Sequence, residues 1–173
     1  MQIELSSLLG KKGRFAHVYA PDELNLEDER VKLAAPPKVS GQITRNEHKV
    51  VVEAQLNAVV SVECDRCLKP MELPVDTKFK VEYVTPATYK ASDTAELGAD
   101  DLALSVFEGE IINMDEIVRE QILLAVPTHA VCDENCKGLC PICGTDLNVT
   151  SCTCQETEID PRWQALKELV DGK

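Results

Sequence analysis

The residues with the clearest chemistry in this chain are its eight cysteines. They stand in four close pairs: Cys64-x2-Cys67, Cys132-x3-Cys136, Cys140-x2-Cys143 and Cys152-x-Cys154. In a reducing compartment, clustered thiols point to metal binding or redox work and not to disulfides. Zinc suits the set, because it has no ligand-field preference and accepts four thiolates in a tetrahedron. A two-residue gap lets the backbone fold back so that both sulfurs face one ion. Cys140-Pro-Ile-Cys143-Gly144 has the composition of such a knuckle: Pro141 stiffens the turn, and Gly144 permits the positive φ that closes it. The stretch after Cys143 is long enough for a small hairpin around Leu147 and Asn148 before Cys152-Thr-Cys154. Cys140, Cys143, Cys152 and Cys154 are therefore predicted to form one site.

Cys64, Cys67, Cys132 and Cys136 would then serve each other, tying the tip of a hairpin to the segment that follows a helix. A rival division places Cys132, Cys136, Cys140 and Cys143 on one ion and leaves Cys64 and Cys67 aside. Spacing alone leaves both open, so one or two structural Zn²⁺ ions are expected. Four thiolates around Zn²⁺ carry a formal charge of about −2. Arg66, Lys69 and Lys137 lie beside candidate ligands and either offset that charge or are ordinary surface cations.

Complete sets of four thiolates leave no open position for water, which a catalytic zinc needs. None of His17, His48 and His129 is followed by Glu two residues later, and Pro141 follows Cys140 where a zinc deaminase needs Pro before Cys. Gly-rich phosphate loops, a Gly-x-Ser-x-Gly elbow and a His-Glu-x-x-His helix are also missing. No catalytic residue is predicted, the chain is not expected to be an enzyme, and no small-molecule substrate is expected.

The elements that must position the cysteines are legible from periodicity. Apolar residues occupy the even positions from Val50 to Val62, with Glu53, Gln55, Asn57, Ser61 and Glu63 between them. This period of two predicts a one-faced strand over 50–63. After Cys67 the apolar set moves to odd positions, from Met71 through Phe79 to Tyr83, and predicts a second strand over 71–84. Pro74 limits that strand to an edge or bulged position. The two would form an antiparallel hairpin with Cys64-Asp-Arg-Cys67 at its tip. Alternation at Ile3 and Leu5 opens the chain, Lys11, Lys12 and Arg14 around Gly13 suggest a solvated turn, and residues 21–30 are acidic and expected at the surface. Pro36 and Pro37 are expected to interrupt regular structure. Residues 85–101 suggest a loop, and 102–112 a short extended segment around Gly109. Asn113 with Glu116 predicts a helix start, and Pro127 its end. Asp160-Pro161 predicts a terminal helix with Trp163, Leu166, Leu169 and Val170 as its apolar stripe.

The expected fold is thus α+β: an antiparallel β-sheet packed with a helix, plus a C-terminal cysteine-rich zinc module and a terminal helix. Residues 1–128 would form the β-rich domain, and 129–173 the zinc module with its helix. Hydrophobic residues make up 44% of the 173 residues and aromatic ones 4%, so the core must rest on aliphatic side chains. No stretch reaches the roughly 18 apolar residues of a membrane span, and no basic-then-apolar leader opens the chain. No membrane partner is expected, and the expected location is the cytoplasm. The net charge of −12 argues against a broad nucleic-acid footprint, permits a local basic patch, and favours a basic partner.

Cys64-Asp-Arg-Cys67-Leu68-x-Pro70, Cys136-Lys-Gly-Leu-Cys-Pro-Ile-Cys-Gly144, Leu147-Asn148, Cys152-x-Cys154 and Asp160-Pro161-Arg162-Trp163 resemble, in order and spacing, the bacterial YceD family of large ribosomal RNA subunit accumulation proteins. The resemblance runs over roughly residues 45 to 170. It implies a non-enzymatic zinc-binding factor in ribosome biogenesis that supports accumulation of 23S rRNA. The implied partner is a pre-ribosomal particle, a basic ribosomal protein or rRNA, with Lys11, Lys12, Arg14 and Arg45 as candidate RNA contacts. A redox-switched zinc chaperone is the alternative, since Cys-x-Cys beside Cys-x-x-Cys is a composition from which oxidation can release zinc. A nuclease or hydrolase acting on RNA is a third reading, without a motif to carry it.

Overall fold

Alternation between Lys49 and Val84 builds the centre of the molecule. The computed structural model describes residues 1–8, 12–47, 49–86, 104–107 and 109–154. Among them, β1 spans Gln2–Glu4, β2 Lys12–Val18, β3 Lys32–Arg45, β4 Lys49–Glu63, β5 Pro70–Val84, β6 Leu104–Val106 and β7 Ile111–Asn113; α1 spans Met114–Ala125. A 3₁₀ turn covers Ser6–Leu8. The fold is mostly sheet with one helix among the described residues.

One sheet has the order β2-β3-β4-β5-β6, and β1 pairs with β7 in a second. All pairings are antiparallel except β5 with β6, which is parallel. β4 and β5 pair without a slip from Lys49↔Val84 to Glu63↔Pro70. With side chains alternating faces, one face of β4 (Val50, Val52, Leu56, Val60, Val62) is buried and the other carries Glu53, Gln55 and Asn57. The strands predicted over 50–63 and 71–84 thus correspond to β4 and β5. Pro74 lies where β5 is paired only with β4, β6 joining at Glu82–Val84, so among the described residues it stands on a stretch of β5 with one side free of strand pairing, where a proline is tolerated.

Two expectations are corrected. Pro36 and Pro37 do not interrupt the chain: β3 runs through them, with register shifts between Leu33/Ala35 and Ala35/Lys38. Bulges absorb the lost donors, and the Pro37 carbonyl accepts the Tyr19 N–H at 3.0 Å. The basic cluster at 12–14 is no turn but the start of β2, with Lys12 and Arg14 exposed and Phe15 packed against the core. The acidic segment 21–30 is only half at the surface. Its acidic side chains are outside, but Leu24 and Leu26 are buried, and Arg119 holds the segment through the Asn25 carbonyl (2.8 Å) and Glu27 (3.2 Å).

Apolar burial drives the assembly. One cluster joins Tyr19, Leu24, Leu26, Leu56, Val60 and Ile122; a second joins Leu5, Ile43, Val52, Ile112, Met114 and Ile117. α1 begins as the sequence requires: the Asn113 side chain accepts the Asp115 N–H at 3.1 Å and donates to Glu116 at 2.8 Å. It ends at Val126, whose N–H reaches the Leu123 carbonyl, directly before Pro127. The predicted terminal helix over 160–171 and most of the loop over 85–101 lie outside the described residues, as do Lys11 and His48.

The chain divides into two compact units. The first takes Met1–Glu63 and Pro70–Ala130; the second takes Cys64–Lys69 and the chain from Val131 on. The six residues that join β4 to β5 thus belong with the cysteine-rich segment and not with the strands they connect. No helix among the described residues is long and apolar enough to cross a membrane.

Candidate metal centres

The second unit holds all eight cysteines. They are free thiols and form two groups of four: Cys64, Cys67, Cys132 and Cys136 in one, Cys140, Cys143, Cys152 and Cys154 in the other. Within each group the sulfurs lie within 4.8 Å of one another. The alternative grouping of Cys132 and Cys136 with Cys140 and Cys143 is not the one the fold adopts.

Local backbone chemistry explains each half-site, and the two Cys-x2-Cys turns are built alike. In one, the Leu68 N–H donates to the Cys64 carbonyl at 2.8 Å and the Cys64 N–H to the Lys69 carbonyl at 2.9 Å. In the other, the Gly144 N–H donates to the Cys140 carbonyl at 2.9 Å and the Cys140 N–H to the Thr145 carbonyl at 2.8 Å. The residue after the second cysteine is left-handed in both, with φ of 58° at Leu68 and 72° at Gly144. The turn also aims N–H groups at sulfur: Lys69 N–H at Cys67, and Thr145 N–H at Cys143. Gly144 was legible in the sequence as a residue at home in such a turn; Leu68 hides an identical backbone behind an ordinary side chain.

The second half of the first group arrives through a short loop. The Cys132 N–H donates to Cys64 Sγ at 3.4 Å, and the Arg66 guanidinium donates to the carbonyls of Glu134 (3.0 Å) and Cys136 (2.9 Å). Leu139 N–H adds a bond to the Arg66 carbonyl at 2.9 Å. Gly138, with φ of 74°, is needed here, because a Cβ would come within 2.8 Å of the Arg66 carbonyl oxygen. Asn148 braces the same group. Its amide nitrogen donates to Cys136 Sγ at 3.4 Å and to Asp146 at 2.8 Å, and its oxygen accepts the Lys137 N–H at 2.7 Å. Asp146 in turn pairs with Lys69 at 2.6 Å. Of the three cations expected beside the sulfurs, Arg66 serves carbonyls, Lys69 serves Asp146 while feeling Cys67 and Cys132, and Lys137 contributes its backbone N–H. Asp146 has no signal in the sequence, being one exposed-looking acid among many.

The donor set fits a tetrahedral soft cation. Zinc–sulfur bonds of about 2.3 Å imply a sulfur–sulfur edge of about 3.8 Å. Cys64 and Cys136 are 4.0 Å apart, and Cys67 and Cys132 3.6 Å. Electrostatics points the same way. N–H groups of Cys132 and then Cys67 pull the Cys64 thiol down to about 6, whereas hydrogen bonding to the sulfurs of Cys67, Cys64 and Cys136 pushes Cys132 up to about 12. In the second group Thr145 draws Cys143 down to about 6, and the Cys143 sulfur pushes Cys154 up to about 12. Four adjacent sulfurs cannot all be thiolates without a positive charge among them, and each set could hold a metal cation that supplies it. The groups differ in exposure. In the first group only Cys132 is exposed, whereas in the second only Cys140 is buried, Cys152 is half-buried, and Cys143 and Cys154 are exposed.

Comparison with known proteins gives a consistent family. The model of the family described as "Large ribosomal RNA subunit accumulation protein YceD" matches residues 52–170. An uncharacterized protein of Mycobacterium tuberculosis is 28% identical over 153 residues, covering 88% of this chain and 71% of the relative. Uncharacterized protein YlbN of Bacillus subtilis is 27% identical over 150 residues, covering 86% and 83%. A chloroplastic protein of Zea mays, named large ribosomal RNA subunit accumulation protein YCED homolog 1, is 26% identical over 147 residues, covering 72% of this chain and 50% of its own length. No solved structure matches the chain.

Proposed function

The chain belongs to the family of large ribosomal RNA subunit accumulation proteins YceD, and from that premise we propose that it is a non-enzymatic, zinc-stapled factor of ribosome biogenesis that docks on a precursor of the large subunit. The observation that carries the reading is the family match over residues 52–170, which spans all eight cysteines. Each group of four sulfurs would hold one Zn²⁺ as a closed, structural site. Cys64, Cys67, Cys132 and Cys136 would hold one ion, and Cys140, Cys143, Cys152 and Cys154 the other. The metal's binding energy is then folding energy for a segment with few apolar side chains of its own. Docking follows from the rigid surface this creates, and no bond is made or broken in the partner. The expected place of action is the cytoplasm, where large-subunit precursors are assembled.

The test is sedimentation of a lysate through a gradient. The protein is expected to run with large-subunit precursors, and its deletion to lower mature 23S rRNA. A protein that stays at the top of the gradient, with normal 23S levels in the deletion strain, overturns the proposal. A second reading, the redox-switched chaperone, draws on one observation: Cys143 and Cys154 are exposed and so open to oxidants. Peroxide-triggered zinc release that switches on holdase activity would favour it, and release without such activity would remove it.

A further inference from the structure

The outer face of the large sheet is unlike the rest of this acidic chain. The register places one residue from each of four strands side by side: Arg14, Gln42, Glu53 and Lys80 in one row, and Ala16, Ser40, Gln55 and Lys78 in the next. Flanking rows carry Lys12, Thr44, Val51 and Glu82 on one side, and Val18, Lys38, Asn57 and Asp76 on the other. These four rows, with Lys49 at the end of β4, hold six cations against three carboxylates, and farther along the same face stand Lys32, Glu63 and Glu72; the balance is seven to five in favour of cations in a chain of net charge −12. The carboxylates of the four rows are engaged: Glu82 with Lys49 and Lys80, Glu53 with Gln42, and Asp76 with Gln55. Lys12, Arg14, Lys38 and Lys78 make no ion pair among the described residues.

Four of the first six cations stand in two rows, with Lys38 on β3 and Lys49 on β4 outside them. Lys12 and Arg14 stand on β2, and Lys78 and Lys80 on β5, three strand spacings or about 14 Å away. Between them runs a shallow depression floored by Ser40, Gly41 and Gln42 on β3 and by Glu53 and Gln55 on β4, with Arg14 and Lys78 on its walls. The aromatic residues of these strands, Phe15, Phe79 and Tyr83, pack against the apolar clusters. The four rows therefore offer cations, carboxylates, amides and the hydroxyls of Ser40 and Thr44, and contain no aromatic residue on which a base could stack.

We propose that this face binds the sugar–phosphate backbone of RNA, with Lys12 and Arg14 on the β2 side of the depression, Lys78 on the β5 side and Lys38 on β3 one row beyond its floor contacting phosphates, independently of base sequence. The choice of RNA over an acidic protein rests on the functional reading above; the polyanion chemistry rests on the face alone. Phosphate contacts of this kind release counterions, so binding weakens steeply with salt.

The test is binding of purified metal-replete protein to a fluorescent single-stranded RNA of mixed sequence, titrated against salt. Four phosphate contacts predict a slope of log K against log salt near about −3, and each cation removed should flatten it by about 0.7. The quadruple variant K12A/R14A/K38A/K78A should bind at least about tenfold more weakly at about 50 mM salt, whereas Arg30→Ala, an exposed cation outside the face, should bind like the parent. All four side chains are exposed, so circular dichroism is expected to show an unchanged sheet. Equal affinity and slope in parent and quadruple variant overturn the proposal, as does polyglutamate competing as well as RNA of equal charge, which would make the face an acidic-protein site. Co-sedimentation of the quadruple variant with large-subunit precursors, despite lost RNA binding, would overturn RNA docking as the means of recruitment and leave the family function standing.

Discussion

At the scale of single residues, the two cysteine turns form a natural comparison. They share hydrogen bonds and a left-handed residue, but one places Gly144 there and the other Leu68. An L side chain in that conformation costs about 1 to 2 kcal/mol, and Leu68 gains little in return because its side chain is exposed. Leu68→Gly should therefore stabilise the protein, by up to about 1 kcal/mol once glycine's greater freedom in the unfolded chain is subtracted. Gly144→Ala, with no atom within 4 Å of the new Cβ, should cost only the conformational term, about 1 kcal/mol. Gly138→Ala adds a Cβ 2.8 Å from the Arg66 carbonyl oxygen and should cost more, about 2 kcal/mol or above. Denaturant unfolding of the metal-loaded variants checks the order. Equal losses at 138 and 144 would show that the loop yields at Arg66 without cost.

At the scale of elements, β3 is the strand that makes the sheet possible and the one that the sequence conceals. It has two prolines, two register shifts and a glycine at the closest approach to β4. Gly41 pairs with Ala54, and a Cβ at 41 would lie 2.2 Å from the Glu53 carbonyl oxygen and 2.7 Å from Ala54 Cα. Both are backbone atoms in a paired strand and cannot swing aside. Gly41→Ala should thus cost about 3 kcal/mol, the upper end of overpacking penalties, read as a lowered midpoint of thermal unfolding. An unchanged midpoint would mean that β3 and β4 separate locally at no cost. The same strand shows why the proline rule failed. A proline forbids a ladder donor at its own position, but one register shift before the prolines and one across them let the chain rejoin the register, and Tyr19 takes up the Pro37 carbonyl. Neither accommodation has a local signature.

At the scale of the whole molecule, stability is drawn from different sources in the two units. The first rests on buried aliphatic residues such as Val52, Leu56, Val60 and Ile122. The second has few of these and, on the proposed reading, relies on sulfur–metal bonds. Metal removal is therefore expected to act unevenly. Chelation should raise amide exchange in Cys64–Lys69 and Val131–Cys154 and leave β4 and β5 largely protected, with two zinc ions recovered per chain. The group of Cys140, Cys143, Cys152 and Cys154, in which only Cys140 is buried, should release its ion first. Exchange that is the same with and without metal, or a metal content near zero in reduced protein, would contradict the stapling role.

What the sequence by itself determined were the features with a short physical range. Side-chain alternation decided the faces of β4 and β5, because neighbouring side chains on a strand point opposite ways. Asn113 and Pro127 decided the ends of α1 through bonds made or lost within one turn, and the x2 spacings decided that each cysteine pair folds back on itself. Tertiary structure decided what lies at long range. It brought Cys64 and Cys67 to Cys132 and Cys136, set Asn148 and Asp146 among them, carried β3 through two prolines, and gathered Lys12, Arg14, Lys38 and Lys78 from three strands onto one face. No local pattern records such meetings, because they depend on strand register and chain closure, which only the packed core selects.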